Sequence, residues 1–103
     1  MTQLHSIAKD DQGKFSAFVA QTEKYLDEVV IDGSDQDLFI ASYFTGHFSV
    51  VASLADIKKD WSLEGLNIAI LASLGSAFSQ NELAEEDQEQ VFALWEKLTG
   101  TIV

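Results

Sequence analysis

Cysteine, proline and arginine are absent from this sequence of 103 residues. Without cysteine, the chain can form neither a disulfide nor a zinc site built on thiolates. The absence of proline suits long helices, because proline removes a backbone donor and breaks a helix. Positive charge is also scarce, with 6 lysines against 17 acidic residues and a net charge of -11. Since phosphate groups are bound mainly by Lys and Arg, we predict no nucleic-acid partner and no anionic membrane partner.

A chain of this length forms one hydrophobic core, so we predict a single four-helix domain over residues 13–103. Residues 1–12 are polar, lack periodicity and are predicted to be a frayed extension. They also lack the basic start and apolar run of a signal peptide. The uncharged run of residues 38–55 contains Ser, Thr, Gly46 and His47, and it falls short of the ~20 mainly apolar residues of a membrane span. We therefore expect a cytoplasmic protein with no membrane partner.

The most apolar stretch, residues 34–58, is predicted to be the helix around which the others pack. Ser34 is a suitable N-cap, and Asp35 and Asp37 place negative charge in the first turn, where the helix dipole favours it. On a helical wheel one narrow stripe is polar and most of the remaining circumference is apolar, which is typical of a helix inside a bundle. The polar stripe consists of Ser42, Thr45, Ser49, Ser53 and Asp56, and the apolar positions are Phe39, Ile40, Tyr43, Phe44, Phe48, Val50, Val51 and Leu54.

Three further helices are predicted from apolar residues at three- and four-residue spacing. The first covers residues 14–30 and is followed by Gly33 as a left-handed stop. The third begins after an N-cap at Ser62. The fourth follows the turn of residues 79–84 and is ended by Gly100. Short connections favour an antiparallel arrangement, so the predicted fold is all-α, a four-helix bundle with a central, mostly buried second helix.

One polar site is predicted on the apolar side of the second helix. His47 is the only residue in that arc of a type that ionises near neutral pH, and the Tyr43 hydroxyl lies one turn away on the same face. A functional imidazole would contact a ligand or transfer a proton. The alternative is a buried neutral histidine that hydrogen-bonds to another helix, with Gly46 allowing that helix to come close. Asp87, toward the apolar side of the fourth helix, could reach His47 or could satisfy free amides at the start of its own helix.

The third helix has a face of small, uncharged residues opposite its apolar core face. Small side chains there permit the close approach of a second helix or of another subunit. A neutral face exposed to solvent is the other interpretation. The four candidates for an interface at this position are Ala69, Ala72, Ser73 and Ser76.

Motifs for catalysis or cofactor binding are hard to find. There is no thiol, no Gly-x-Ser-x-Gly, no glycine-rich phosphate loop and no His-x-x-x-His or Glu-x-x-His spacing. Interpreted as a calcium loop from Asp32, the run DGSDQD has Asp37 in place of the turn glycine and Tyr43 in place of the last glutamate. Carrier proteins bear phosphopantetheine on the serine of an Asp-Ser-Leu motif. In this chain Trp61 stands between Asp60 and Ser62, so the motif is interrupted. We therefore predict no catalytic residue, no metal and no cofactor, and an enzyme is disfavoured.

The second and fourth helices carry a recognisable pattern. It consists of SDQDLF and SYFTGH within residues 34–47, followed by Glu82-Leu83, Asp87-Gln88, Trp95-Glu96 and Leu98. Over residues 14–98 this pattern resembles the YfcL-like family of small, uncharacterised gammaproteobacterial proteins. The family has Ser-Pro where this chain has Ala84-Glu85. The resemblance implies an all-helical domain from a cytoplasmic bacterial protein, and it implies no activity.

Two hypotheses for function come from different classes. The first is a non-enzymatic protein–protein interaction module whose acidic exterior meets a basic or neutral partner, either another protein or a second copy of the chain. The second is a small-ligand-binding protein or minimal enzyme with a pocket around Tyr43 and His47. This second hypothesis predicts a cavity that reaches His47 from solvent.

Overall fold

Helices make up nearly all of the chain. The computed structural model describes the backbone of residues 2–102 and the side chains of residues 11–100. The helices are α1 (Thr2–Asp32), α2 (Asp35–Ile57), α3 (Leu63–Ser79) and α4 (Glu85–Ile102). Within these described residues no strand is present, so the predicted all-α, four-helix fold is confirmed.

α2 packs extensively against each of the other three helices, which confirms its central position. The Phe44 ring lies 5.6 Å from the Trp95 ring of α4, and the Phe48 ring lies 6.5 Å from the Phe18 ring of α1, measured between centroids. One core therefore forms around α2. Its buried apolar members are Phe15, Phe18, Leu26, Ile40, Ala41, Phe44, Phe48, Ala52, Leu66, Ile70, Leu74, Ala77, Phe78, Val91, Trp95 and Leu98.

Both predicted N-caps are confirmed. The Ser34 hydroxyl accepts a hydrogen bond from the Asp37 N–H, and the Asp37 carboxylate accepts one from the Ser34 N–H, each at 3.1 Å. This reciprocal capping box fixes the start of α2. The Ser62 hydroxyl accepts from the Gly65 N–H at 3.0 Å and so caps α3.

Two helices are longer than predicted. α1 begins at Thr2 rather than near Lys14, and α4 continues through Gly100 to Ile102. A helix extends as long as nothing interrupts its hydrogen bonds, and a single glycine costs only about 1 kcal/mol. The side chains of the first ten residues lie outside the described part, so the frayed extension proposed for residues 1–12 stays a prediction.

Gly33 ends α1 for a different reason from the one predicted. It is not left-handed, since no glycine among the described residues has a positive φ. A Cβ at this position would lie 2.6 Å from the Val29 carbonyl oxygen, so the close approach of the backbone requires glycine. The left-handed positions are occupied by Lys59 (φ 59°) and Asn81 (φ 60°), which follow the C-caps of α2 and α3.

α2 is also long and apolar enough in composition to cross a membrane. In the structure one side of it is buried against α1, α3 and α4, and the predicted polar stripe is on the surface, with Ser42, Ser49 and Ser53 exposed. α2 therefore packs as the core helix of a four-helix bundle.

Candidate functional site

α2 and α3 form one outer surface from stretches that carry no charged side chain, residues 38–55 and 65–79. The two helices run antiparallel, because His47 contacts Ser73 while Tyr43, earlier in α2, packs on Phe78, later in α3. Counted at about 100° per residue from His47 on α2 and from Ser73 on α3, the residues grouped below lie roughly 20–140° around their helices, on the same side. We call this surface the neutral face. It consists of Phe39, Gly46, Val50 and Leu54 of α2 together with Ile68, Ala69, Ala72 and Ser76 of α3.

Large apolar side chains are exposed on the neutral face. Val50 and Ile68 each keep 60% of their surface accessible, and Phe39 keeps 46%. The sequence predicts α2 to be mostly buried because it is apolar nearly all round, but three neighbouring helices leave this side uncovered. Large exposed apolar patches are typical of interaction surfaces.

His47 connects the two helices that form the neutral face. Its Nδ1 lies 2.9 Å from the Ser73 hydroxyl, and its half-buried ring lies 4.9 Å from the Tyr43 ring. The structure therefore brings together Tyr43 and His47, which were predicted as one site, and adds Ser73, which was predicted as part of an interface. The hydrogen bond to a neighbouring helix agrees with the structural interpretation of His47.

The Tyr43 hydroxyl is buried and has no hydrogen-bond partner in the structure. Its ring stacks on Phe78 with the centroids 6.2 Å apart. Burial, and to a smaller extent the carboxylate of Glu82, raise the pKa of Tyr43 above its ordinary value of 10.0. The phenol therefore keeps its proton to a higher pH than an exposed tyrosine does. It has no partner to donate to, which is an unfavourable state for a buried hydroxyl.

Gly46 and Asp87 do not have the contacts predicted for them. No atom lies within 4 Å of a Cβ built on Gly46, so the interpretation that it lets another helix approach His47 is wrong. The Asp87 carboxylate accepts a hydrogen bond from the Gln36 side chain at 2.9 Å. Since Gln36 precedes His47 by about 16 Å along α2, Asp87 links α4 to the start of α2 and lies outside the Tyr43–His47 site.

Ser73 and His47 lack the surroundings of a nucleophilic site. Both lie in the middle of helices, where the backbone N–H groups are committed to helical bonds and cannot form an oxyanion hole. Surface grooves of about 510, 410 and 250 Å³ lie elsewhere, and neither Tyr43 nor His47 lines any of them. In the described part of the chain, no three His, Asp or Glu side chains are placed to hold a metal ion.

Two hydrogen bonds that hold the site's helices in place were missed from the sequence. Trp95 Nε1 donates to the Asn67 side chain at 2.7 Å and so connects α4 to α3. Trp61 Nε1 donates to Asp56 at 2.9 Å across the connection between α2 and α3. Asn67 is a lone polar residue within an apolar helical pattern, and that is the signal that could have marked it.

Comparisons with known proteins point to one family. The family model described as "YfcL protein" matches residues 16–100. A relative, "Uncharacterized protein YfcL" of Escherichia coli (strain K12), is 30% identical over 73 residues, which cover 71% of this chain and 79% of the relative. No solved structure matches the chain. The residues that match the family model include all of α2 and α3, and therefore the whole neutral face.

Proposed function

The chain belongs to the YfcL family, and from that premise we propose that it is a non-enzymatic protein–protein interaction module whose binding surface is the neutral face. The proposal rests on one observation, the exposure of Val50, Leu54 and Ile68 within uncharged stretches of two neighbouring helices. Burial of apolar surface contributes ~25 cal/mol per Å². A partner that covers these side chains therefore gains binding energy without having to desolvate a charge.

The acidic remainder of the surface selects the kind of partner. A net charge of -11 attracts basic proteins, tolerates neutral ones and repels nucleic acids and anionic membranes. The exposed apolar side of α2 supports a protein partner over a lipid one, because carboxylates flank it at both ends of the helix, including Asp35 and Asp56. We place this module in the cytoplasm.

A pull-down from bacterial lysate with matched bait variants tests the proposal. Ile68→Glu places a carboxylate on the neutral face, and Ile31→Glu places the same carboxylate at an exposed position of α1. We expect wild type and Ile31→Glu to capture the same protein at low and high salt, and Ile68→Glu to lose it, because a buried charge weakens an apolar contact.

Thermal melting of each bait shows whether it is folded before capture is compared. Recovery of no partner at either salt concentration, from a bait that sedimentation shows to be monomeric, would count strongly against an interaction module. Equal capture by Ile68→Glu and Ile31→Glu would show that the partner binds elsewhere.

A second candidate function is a small-ligand site or minimal enzyme at Tyr43 and His47. The observation that favours it is the buried Tyr43 hydroxyl without a partner, since a ligand that enters between α2 and α3 would accept a hydrogen bond from it. The hydrogen bond between His47 and Ser73 would hold the imidazole in place beside such a ligand.

Thermal shift measurements with a panel of metabolites distinguish this second function from packing. A ligand that raises the melting temperature of wild type but not of His47→Ala would support a site, because a ligand stabilises the state that it binds. If His47→Ala only lowers stability and no compound shifts wild type, the imidazole has a packing role alone.

A further inference from the structure

We propose that the groove between α1 and α4 binds a small organic cation, a linear aliphatic polyamine. One ammonium group of the ligand takes the place of the Lys97 ammonium on the Tyr25 ring, and the methylene chain lies on the apolar floor of the groove. The groove shares no residue with the neutral face, so this inference does not depend on the interaction module.

The groove has the size and the floor of a small-molecule site. Its volume of about 510 Å³ lies within the ~300–1,000 Å³ that is usual for ligand pockets. Ile40 and Ala41 of α2 contribute buried apolar surface, and Val29 of α1 and Leu94 of α4 contribute half-buried sides. The part of α1 that lines the groove, residues 25–32, is about 11 Å long at 1.5 Å per residue. An extended aliphatic chain fits along it.

Carboxylates give the groove a negative charge. Glu28 and Asp32 lie on α1 one helical turn apart, and Asp37 lines the groove from the start of α2. The position of Asp37 is fixed, because its carboxylate also accepts the capping hydrogen bond from the Ser34 N–H at 3.1 Å. Against these three carboxylates the lining contains one lysine, Lys97. The groove therefore attracts a cationic ligand and repels an anionic one.

The chain's own lysine shows which chemical group the groove accepts. The Lys97 Nζ lies over the Tyr25 ring, 5.5 Å from its centroid, which is within the ~6 Å of a cation–π contact. The Tyr25 side chain, and to a smaller extent the carboxylate of Asp37, favour the charged form and raise the pKa of Lys97 above its ordinary value of 10.5. Because the Lys97 side chain is exposed, its ammonium can move into water when a ligand takes its place.

The walls of the groove favour an alkyl chain over a peptide. Nearly all of the lining belongs to α1, α2 and α4, whose backbone N–H and C=O groups are already bonded within the helices. An extended peptide would bury its own N–H and C=O groups there without partners, whereas methylene groups gain from burial. A polyamine carries ammonium groups separated by short methylene chains, and that spacing suits carboxylates one helical turn apart, as Glu28 and Asp32 are.

Titration of the full chain with spermidine, followed by amide NMR spectra, tests the site. At about 0.15 M ionic strength, where long-range attraction is screened, we expect one spermidine per chain with a Kd of about 1 mM or tighter. The shifted amides should cluster at Val29 and Leu94, and magnesium at matched ionic strength should not reproduce the shifts. No saturable binding, shifts centred elsewhere, or the same shifts with magnesium would overturn the proposal.

A matched pair of lysine variants tests the displacement of Lys97, since both remove one positive charge from the protein. Lys97→Met should lower the Kd for spermidine about threefold or more, because the ligand no longer competes with the chain's own ammonium. Lys14→Met, at an exposed position of α1 outside the groove, should leave Kd within about twofold of wild type. Weaker binding by Lys97→Met, or equal changes in both variants, would overturn the displacement and with it the proposed position of the ligand.

Two double variants separate the groove from the overall charge. Glu28→Gln with Asp32→Asn should raise Kd about tenfold, because both carboxylates that follow the ligand are lost. Glu85→Gln with Glu89→Gln removes an equally spaced pair of exposed carboxylates from α4 and should change Kd less than about threefold. Equal effects would show that spermidine responds only to net charge, and would overturn the site.

A third pair tests the apolar groove while the charge stays constant. Ala93→Trp places an indole in the groove and should abolish saturable binding, whereas Ala17→Trp, at an exposed position of α1 outside the groove, should bind as wild type does. Thermal melting checks that each variant is folded, and Ala93→Leu replaces Ala93→Trp if the latter is not. Undiminished binding by a folded variant at Ala93 would overturn the groove as the binding site.

Discussion

Tyr43 places a phenol hydroxyl in a buried position without a hydrogen-bond partner. We predict that Tyr43→Phe keeps the fold and raises the free energy of unfolding by up to about 1 kcal/mol, because it removes an unsatisfied polar group and keeps the stacking on Phe78. Chemical denaturation at neutral pH measures the change. A loss of more than about 1 kcal/mol would show that the hydroxyl has a partner in solution.

The raised pKa of Tyr43 adds a pH dependence to this prediction. The folded state keeps the phenol proton at a pH where the unfolded chain has lost it. The stabilisation that results is fully present below the ordinary pKa of 10.0 and is lost as pH rises through the higher pKa of the folded state. Above pH 10 the free energy of unfolding of Tyr43→Phe should therefore fall less steeply with pH than that of wild type. Equal slopes in this range would contradict the raised pKa of Tyr43.

Substitution by alanine should have opposite effects on stability at Gly46 and at Gly33. Gly46→Ala should stabilise α2 by about 0.5–1 kcal/mol, because alanine is the better helix former and its Cβ meets no atom within 4 Å. Gly33→Ala should destabilise the protein, because its Cβ would lie 2.6 Å from the Val29 carbonyl oxygen. Parallel denaturation curves measure both changes. Destabilisation by Gly46→Ala would show that the space above Gly46 is filled in solution.

The C-terminal end of α2 is closed by a lysine in the left-handed conformation. The Lys59 N–H donates to the Asp56 carbonyl at 3.0 Å and the Asp60 N–H to the Ala55 carbonyl at 2.9 Å, which is the Schellman pattern. Glycine is the residue that adopts this conformation without strain, so Lys59→Gly should raise the free energy of unfolding by about 0.5–1 kcal/mol. Thermal or chemical denaturation measures the gain.

Asn81 provides the comparison for that prediction, since it has the same conformation after α3. Asparagine tolerates left-handed dihedrals better than lysine, so Asn81→Gly should change stability by less than about 0.5 kcal/mol. A larger gain at Asn81 than at Lys59 would mean that backbone strain does not account for the effect.

The ends of the helices show what local sequence does and does not determine. Ser34 and Ser62 could be predicted as caps because a cap depends on side chains within three residues of it. Gly33 was wrongly predicted to be a left-handed stop, and Gly100 was wrongly predicted to end α4. Glycine occurs at left-handed helix ends, at close approaches of the backbone and at ordinary helical positions, so its presence alone does not distinguish them. Lys59 could not be recognised, since lysine has no preference for the left-handed conformation, whereas Asn81 is of a residue type that adopts it.

At the scale of the whole molecule, the spacing of apolar residues predicted which side of a helix packs inward. It did not predict how much of that helix the neighbouring helices cover. The central position of α2 followed from its apolar circumference, and the structure places α1, α3 and α4 around only part of it. The contact between His47 and Ser73 could not be predicted for a similar reason, because the register of two helices depends on packing between residues far apart in sequence. The neutral face therefore required the structure.

The net charge of -11 leads to a last prediction, that sodium chloride stabilises the monomer. Carboxylates spread over a molecule with a radius of gyration of 14.7 Å repel one another while the Debye length exceeds that radius, and salt removes most of this repulsion by about 0.15 M. The melting temperature should rise by several degrees up to that concentration and change little beyond it. The measurement belongs at micromolar protein, where self-association contributes least to the melting temperature. Replacing the exposed Glu23 and Glu89 by glutamine should flatten the salt dependence, and an equal slope in that variant would mean that salt acts through a route other than charge repulsion.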